Sequence, residues 1–226
     1  MTAAHCWKTE RPVTITVHHL ENSRSQRVLW LLEELGLPYE VRRYERNKVT
    51  MLAPPELRRI HPLGKSPVIE DRDSDGKARV MAETGAIMEY LVDKAGGRLG
   101  APPSREDALR YRQFLHYAEG SLMPVLFVKL VLSRVPLMGG VALRKFQPMV
   151  DVHVNYIESE LAGRPWFAGE SFTAADVMMS FPLEAGRSRA GISRDTHPHI
   201  FKWLDTTHAR AAYQAALAKG GPYSYA

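Results

Sequence analysis

The sequence contains a single cysteine, Cys6, among its 226 residues. One thiol cannot build an internal disulfide framework, and it cannot supply both sulfurs of a CxxC redox pair. The nine histidines show no HExxH pattern and no spacing typical of a Cys/His zinc site. We therefore predict no metal site, and we expect the reducing environment of the cytoplasm.

Long hydrophobic runs are also missing. Even residues 124–132 are interrupted by Lys129, and they fall far short of the roughly 20 apolar residues of a membrane-spanning helix. The polar leader at residues 1–12 carries no apolar core of signal-peptide length. We expect no membrane span and a flexible leader before the folded chain.

No block of one charge stands out. Lysine and arginine total 30 against 25 aspartates and glutamates, a net charge of +5. The basic residues are spread along the chain with acidic residues among them, so the pattern does not indicate a nucleic-acid partner. A mild attraction of small acidic ligands is the interpretation that we retain. The hydrophobic content of 45% is ordinary for a soluble globular protein.

The most informative local pattern surrounds SRSQR at residues 23–27. Residues 13–20 before it alternate apolar and polar side chains, which predicts a strand. Apolar residues recur after it at i, i+3, i+4 and i+7 from Val28, which predicts a helix that ends at Gly36 and Pro38. The polar segment therefore lies where a strand ends and a helix begins. Free backbone N–H groups at such a place can hold an anion, for example a thiolate.

Further elements follow this first pair. Residues 39–44 read as a second strand, and a strand–helix–strand unit predicts parallel pairing with a right-handed crossover. Residues 53–57 predict a short helix with proline in its first turn. Residues 68–69 and 78–82 flank a turn-rich DSDG sequence and predict a hairpin. Residues 83–95 show the apolar period of another helix.

The sequence changes character at residues 96–104, which are dense in glycine and proline. We predict a leader at 1–12, an α/β domain at 13–95, a linker at 96–104 and an all-helical domain at 105–226. The predicted helices of the last domain span roughly 105–135, 141–162, 174–187 and 200–218. The pair Gly139-Gly140 is interpreted as a break between helices.

Two sets of residues in the helical half have structural interpretations. Thr173 followed by Asp176 reads as a capping box, with Phe172 and Val177 spaced as a hydrophobic staple. Thr173 is therefore interpreted as a helix start and not as a catalytic hydroxyl. The second set shares a helical spacing that is typical of core residues, so we assign it no site: Tyr111, Phe114, Tyr117, Met123 and Phe127.

Several motifs together carry a family resemblance. SRSQR at residues 23–27, HPLGKSPV at 61–68 and AETGAI at 82–87 resemble the glutathione-binding domain of a glutathione S-transferase. The closest likeness is to the group shared by bacteria and fungi that carries HPLG[KR]SP and AE[ST]G. YAEGSL at 117–122 and TAADVMMSFPL at 173–183 resemble the helical domain of that group. The motifs occur in the family's order, and the likeness covers nearly the whole chain.

The resemblance implies a fold and a function. The fold is a thioredoxin-like α/β N-terminal domain with a four-stranded mixed sheet, followed by an all-α helical-bundle domain, in a homodimer. The function is that of a detoxification enzyme, which binds reduced glutathione as co-substrate, stabilises its thiolate and conjugates it to hydrophobic electrophiles. Reduction of organic peroxides is a second reaction of such enzymes. The alternative is a non-catalytic relative that binds protein partners.

The resemblance also assigns residues around the second motif. Pro67 matches the family's cis-proline, and the backbone of Ser66 is expected to pair with the cysteinyl unit of glutathione. Lys65 is the nearest cation for the glycyl carboxylate, and Lys48 is a second choice.

The third motif matches the family's contacts to the γ-glutamyl end. Glu83 is expected to bind the ammonium group, while Thr84 and its backbone N–H bind the carboxylate. Thr84 lies at a predicted helix start, where N–H groups are free.

Ser23 matches the catalytic serine of the serine-type classes, whose hydroxyl donates to the sulfur of glutathione. Asn22, Arg24 and Ser25 are alternatives, because this group varies just after the first strand. Ser23 with Gln26 also reads as a capping box, S-x-x-Q, and a purely structural cap is the competing interpretation.

Overall fold

The computed structural model describes residues 14–72, 75–137 and 139–226. The leader predicted at residues 1–12, which includes Cys6, lies outside the described residues, as does Val13 of the first predicted strand. The alternating pattern that continues after it forms a strand from residue 15, as predicted.

Four strands form one mixed sheet in the order β2-β1-β3-β4. Strand β1 pairs in parallel with β2, which confirms the predicted strand–helix–strand unit, and it pairs antiparallel with β3. Strand β4 pairs antiparallel with β3, as the predicted hairpin requires. The strands are β1 (Ile15–Leu20), β2 (Tyr39–Tyr44), β3 (Val68–Arg72) and β4 (Ala78–Ala82).

Three helices belong to the sheet domain: α1 (Ser25–Leu35), α2 (Leu57–Ile60) and α3 (Thr84–Lys94). Helix α1 buries its apolar face and ends at Gly36, whose φ of +58° is the left-handed conformation that favours glycine. The short helix predicted at 53–57 was placed too early, because α2 begins only at Leu57. Pro54 and Pro55 explain the shift, since a proline disfavours helical backbone in the residue before it.

The second half is all helical within the described residues. A π-helical turn (Ala118–Leu122) joins α4 (Arg105–Tyr117) to α5 (Met123–Leu132), so the helix predicted at 105–135 contains an irregularity and ends early. Four further helices follow: α6 (Gly139–Ala162), α7 (Ala174–Arg189), α8 (Pro198–His208) and α9 (Ala211–Gly220).

Two helix boundaries correct the predictions. Gly139 and Gly140 open α6 and do not separate helices; a Cβ on Gly139 would lie 2.5 Å from the Leu132 carbonyl oxygen, so glycine permits a close approach there. The helix predicted at 200–218 is two helices, because Arg210 has extended backbone between them. The Arg210 guanidinium pairs with the Glu34 carboxylate of α1, with N···O distances of 2.5 Å and 2.9 Å.

Helix α7 lies at the centre of the molecule and is buried from residue 174 through residue 186. The predicted capping box is confirmed at its start: the Asp176 carboxylate accepts hydrogen bonds from the Thr173 N–H (2.9 Å) and hydroxyl (3.1 Å). Helix α1 packs against both α7 and α9, so one hydrophobic core runs through both halves of the fold.

One helical stretch, Arg105–Leu132, is long and apolar enough to cross a membrane by length and composition alone. Its first part, α4, packs against α7. The side chains of Phe114 and Leu115 in α4, and of Leu122 in the π-helical turn, are buried in the common core. The apolar window is 33% buried, and a single stretch of this kind is weak evidence for a membrane span, because core helices of soluble proteins pass the same test.

Candidate functional site

Three chain segments meet at one edge of the sheet. Strand register pairs His18 with Val68, and Val68 with Ala82. Beyond these pairs the chain segments stay adjacent at the same end of the sheet. They are the end of β1, the segment Ser66-Pro67 just before β3, and Glu83 just after β4. Three of the predicted site residues thus lie side by side although they are distant in the sequence.

Ser66 is tied to β1 by its side chain. Its hydroxyl donates to the His18 carbonyl at 2.8 Å and accepts the Leu20 N–H at 3.2 Å. The peptide bond from Ser66 to Pro67 is cis, as the resemblance implied. The backbone N–H and C=O of Ser66 have no hydrogen-bond partner in the described part of the chain. A ligand strand can pair with them.

Glu83 has the most unusual backbone of the site. Its φ of +70° with ψ of 115° lies outside the regions that non-glycine residues ordinarily occupy, so α3 begins at Thr84 and not at residue 83 as predicted. Strained conformations of this kind cluster at ligand sites, where the surrounding structure holds them. The Glu83 side chain is exposed, and among the described residues its carboxylate has no hydrogen-bond partner, whereas Thr84 is buried.

A cleft of about 680 Å³ opens between this edge and the helical half. Of the predicted site residues it is lined by Asn22, Ser23, Arg24, Lys65 and Ser66. The remaining predicted residues do not line it: Ser25 and Pro67 are buried, Thr84 and Glu83 lie at the start of α3, and Lys48 is exposed two residues before the lining residue Thr50.

Ser23 begins a short chain of hydrogen bonds that leads into the protein. Its Oγ lies 2.7 Å from the Ser25 Oγ and accepts the Ser25 N–H at 3.2 Å. The Ser25 Oγ lies 2.8 Å from Nδ1 of His19. All three side chains are buried, with Ser23 nearest the cleft at 5% exposure.

The protonation of His19 sets the direction of this chain. Burial, together with the charge of Arg43, lowers the pKa of His19 to about 4, so the imidazole is neutral near neutral pH. A hydrogen bond to the Gly220 backbone opposes this shift. A neutral imidazole has one donor and one acceptor nitrogen, and in the tautomer with Nδ1 unprotonated the Ser25 hydroxyl can donate to His19. The Ser23 hydroxyl can then donate to Ser25 or to a molecule in the cleft.

The S-x-x-Q capping box predicted at Ser23 and Gln26 does not form in full. Helix α1 begins at Ser25, and its N-cap residue is Arg24, without a side-chain cap. Both polar atoms of the buried Gln26 side chain lack a partner among the described residues, so Gln26 does not reach back to the Ser23 N–H. A capping role for Ser23 reduces to the single bond from the Ser25 N–H.

Arg24 faces the cleft but is already engaged. Its Nε is 2.9 Å from both carboxylate oxygens of Glu119, in the π-helical turn. Arg27, which is fully buried, donates to the same carboxylate at 2.5 Å and to the Met178 carbonyl at 2.7 Å. Burial lowers the pKa of the Arg27 guanidinium, and Glu119 opposes that shift. Phe181 lies under both guanidinium groups.

The helical half and the C-terminal tail supply cleft residues that the sequence analysis missed. Tyr225 packs edge-on against Phe181 with ring centroids 5.6 Å apart, and its hydroxyl oxygen accepts a hydrogen bond from Arg189 at 2.8 Å. Arg46 and Arg134 line the cleft as well. No sequence motif marks these residues, because only the tertiary fold brings them together.

The aromatic and methionine residues that received no site lie mostly in the core. Tyr111, Phe114 and Met123 are buried there, as predicted, and Tyr117 packs partly buried against it. Met123 also lines the cleft, together with Phe127, which is 56% exposed. Among the described residues no group of three or more His, Cys, Asp or Glu side chains is placed to hold a metal ion.

Comparisons with known proteins agree on one family. Residues 23–94 match "Glutathione S-transferase, N-terminal domain" and residues 143–211 match "Glutathione S-transferase, C-terminal domain". The chain is 37% identical over 221 residues to glutathione S-transferase 3 of Schizosaccharomyces pombe, covering 91% of this chain and 87% of that protein.

Solved structures give the same answer. A glutathione S-transferase from Actinobacillus pleuropneumoniae superposes with a TM-score of 0.80 at 32% identity, covering 93% of this chain and 95% of that one. A glutathione transferase family member from Pseudomonas fluorescens, solved with two glutathione molecules bound, gives a TM-score of 0.76 at 25% identity, covering 93% and 95%. The thioredoxin-like mixed sheet and the helical C-terminal half are those of this family, and the chain belongs to the glutathione S-transferases.

Proposed function

We propose that this enzyme binds reduced glutathione along the sheet edge at Ser66, holds its sulfur as a thiolate beside Ser23, and conjugates it to an electrophile in the cleft. The observation that carries the proposal is the unpaired backbone of Ser66, next to Glu83 and within the same cleft as the Ser23 hydroxyl. In the conjugation the sulfur forms a bond to an electrophilic carbon, whose leaving group departs with the bonding electrons.

The γ-glutamyl end of the tripeptide would lie at the start of α3. The exposed Glu83 carboxylate suits the ammonium group, and the first N–H groups of α3 with the Thr84 hydroxyl suit the carboxylate. The cysteinyl unit would pair with the backbone of Ser66, which precedes the cis bond to Pro67. At the glycyl end Lys65 is our first choice, because it lines the cleft, and Lys48 is the second.

The sulfur contact is assigned to Ser23, which makes this a serine-type enzyme of the group with HPLG[KR]SP and AE[ST]G motifs. Two observations support Ser23 over Ser25 and Arg24: Ser25 is buried behind it, and Arg24 is engaged by Glu119. Asn22 stays the alternative, because its side-chain oxygen accepts the Ser224 N–H at 2.7 Å while its NH2 group can still donate. Ser23 is the residue whose hydroxyl can turn from Ser25 toward a ligand.

The energy required is modest. Lowering a thiol pKa from about 8.5 by one to two units needs roughly 1.4–2.7 kcal/mol of preference for the thiolate. A hydroxyl hydrogen bond to a charged sulfur contributes about 1.5–3 kcal/mol before the loss of the bond to Ser25, and the N-terminus of α1 adds a few tenths. The arrangement is therefore sufficient.

The remaining expectations rest on the family resemblance. We infer a cytoplasmic homodimer with domains divided at residues 96–104, the segment that separates α3 from α4. Strand β4 is a sheet edge with Val80 45% exposed, which suits an interface better than open solvent. Light scattering after size-exclusion chromatography tests the dimer.

Retention on immobilised glutathione, followed by turnover of a chlorodinitrobenzene, tests the proposed function. We expect specific elution by free glutathione and glutathione-dependent release of chloride. An organic hydroperoxide in place of the aryl halide tests the peroxidase reaction, for which the only support is the resemblance. Retention without turnover of either class would favour the alternative, a non-catalytic relative that binds protein partners.

A further inference from the structure

The cleft carries a charge pattern that the proposed reaction does not require. Among the residues that the structure describes, none of those lining the cleft is acidic. Low-dielectric walls with charges of one sign concentrate oppositely charged ligands. The basic lining residues are Arg24, Arg46, Arg58, Lys65, Arg134 and Arg189.

Two of these cations remain after the others are accounted for. Glu119 engages Arg24, and backbone carbonyls of Glu21, Asn22 and Met51 engage Arg46. Arg58 and Lys65 lie on the side that the proposed function gives to glutathione. Arg134 and Arg189 lie on the helical side, and in residues 14–72, 75–137 and 139–226 they pair with no carboxylate.

Arg189 is held in place by the C-terminal tail. One of its terminal nitrogens donates to the Tyr225 hydroxyl oxygen at 2.8 Å, and its guanidinium carbon lies 5.4 Å from the centre of that ring. Because Tyr225 accepts this bond, its own O–H is free to donate. The tail is fixed in turn by the bond from the Ser224 N–H to Asn22. Arg189 and Tyr225 therefore present preorganised donors to one region of the cleft.

Apolar side chains adjoin these donors. Phe181 contacts the Tyr225 ring, and Met123, Phe127 and Leu130 line the neighbouring wall. An apolar wall beside a guanidinium fork and a phenolic O–H fits a molecule with an aromatic or aliphatic body and a carboxylate, since arginine binds carboxylates through two parallel hydrogen bonds.

We propose that the electrophile half of the cleft selects carboxylate-bearing electrophiles, with Arg189 and Tyr225 binding the carboxylate and Arg134 adding charge attraction. The proposal rests on the proposed function, because the electrophile is defined by reaction with glutathione. A second glutathione molecule also carries carboxylates, so the experiment must separate that source from the electrophile itself.

The first measurement is direct binding, which does not depend on turnover. Calorimetry compares dinitrobenzoate with dinitrobenzamide, two unreactive compounds that differ in the charge of one group, with and without glutathione. We expect wild type to bind the benzoate about tenfold more tightly than the amide, because a charge-assisted hydrogen bond is lost in the amide.

Variants identify the side chains that produce the preference for the benzoate over the amide. Arg189→Gln should remove most of the preference, because only Tyr225 and Arg134 remain, and Arg189→Lys should keep a larger part of it, because lysine keeps the charge but not the fork. Tyr225→Phe should reduce it by a smaller factor. Arg144→Gln is the matched control: it removes the same charge from an exposed residue of α6 that does not line the cleft, and it should leave the preference unchanged. Circular dichroism verifies that each variant is folded.

The reactive pair, chlorodinitrobenzoate and its amide, then tests specificity after correction for the uncatalysed rates. We expect a lower KM for the benzoate than for the amide, and in Arg189→Gln the KM for the benzoate should rise by a larger factor than the KM for the amide. Equal binding of benzoate and amide by wild type would overturn the proposal. It would equally be overturned if only inhibition by excess glutathione responded to Arg189→Gln, since the carboxylate would then come from a second glutathione. A binding preference without turnover would refute the proposed function alone.

Discussion

The backbone N–H of Ser224 donates a hydrogen bond to the side-chain oxygen of Asn22, 2.7 Å away. The two residues lie at opposite ends of the chain, so this bond joins the C-terminal tail to the loop that presents Ser23. A second anchor lies one residue earlier, where the Tyr223 hydroxyl donates to the buried Glu184 at 2.5 Å. The tail is thus an integral wall of the cleft.

Asn22→Ala follows from this relationship as the first prediction. Since the Asn22 side chain anchors Ser224 and we assign the sulfur contact to Ser23, we expect the variant to loosen the tail without removing a sulfur contact. The pKa of bound glutathione thiol, followed by thiolate absorbance against pH, should match wild type within error. A raised thiol pKa would transfer the sulfur contact from Ser23 to Asn22.

Glu119 should be a major contributor to the packing of the two halves. Among the described residues, Glu119→Ala leaves the buried Arg27 with the Met178 and Arg24 carbonyls and the Phe181 ring as its remaining partners. Removing one partner of a buried pair costs about 3–5 kcal/mol, and we expect about 3 kcal/mol because Glu119 is partly exposed. Urea unfolding measures the loss.

The control for this change is Asp205→Ala, which breaks the exposed pair with Arg194. Exposed pairs contribute little, so the unfolding midpoint should move far less than in Glu119→Ala. Similar shifts in both variants would contradict the role given to the buried Arg27.

Glu83→Ala tests the γ-glutamyl contact. Loss of a charged hydrogen-bond partner should weaken glutathione binding by about 1.5–3 kcal/mol, as measured by calorimetry. Glu89→Ala is the matched control, because Glu89 is an exposed carboxylate farther along α3. Affinity that stays at the wild-type value in Glu83→Ala would remove Glu83 from the site.

Asp176 should make stability depend on pH. Burial raises its pKa to about 6, although hydrogen bonds from Phe167, Thr173 and Trp203 oppose the shift. The folded protein then holds a proton that the unfolded chain, with a pKa of about 3.9, releases. The contribution of Asp176 to stability is therefore fully present below about pH 4 and is lost as the pH rises through about 6.

The loss amounts to about 3 kcal/mol from the separation of the two pKa values. Urea unfolding of wild type and Asp176→Asn across this pH range measures it, because the asparagine does not titrate. The difference in unfolding free energy between the two proteins should fall with rising pH. A constant difference would mean that Asp176 has an ordinary pKa in the folded protein.

Local sequence patterns were enough to predict the sheet and part of the site. Strand periodicity and turn residues fixed β1 to β4, and the motif matches at Ser66-Pro67 and at Glu83-Thr84 lie side by side through strand register. The boundaries that failed depend on tertiary contacts: Gly139 opens a helix because α5 passes close to it, and Arg210 interrupts a helix to reach Glu34.

The missed part of the site has the same origin. Arg189 and Tyr225 have no motif, and they meet only because the C-terminal tail folds back over α7. The hydrogen-bond chain from Ser23 to His19 depends likewise on burial, which keeps the imidazole neutral and which no spacing in the sequence reveals.

The most direct test of the account is the thiolate absorbance of bound glutathione against pH, for wild type and Ser23→Ala. We predict that the variant raises the apparent pKa of the bound thiol by about one unit, or about 1.4 kcal/mol of thiolate stabilisation, and lowers activity near neutral pH about tenfold. Glutathione affinity should stay within about threefold, because Glu83, Thr84 and Ser66 hold most of the tripeptide. Coincident absorbance curves for the two proteins would contradict the assignment of the sulfur contact to Ser23.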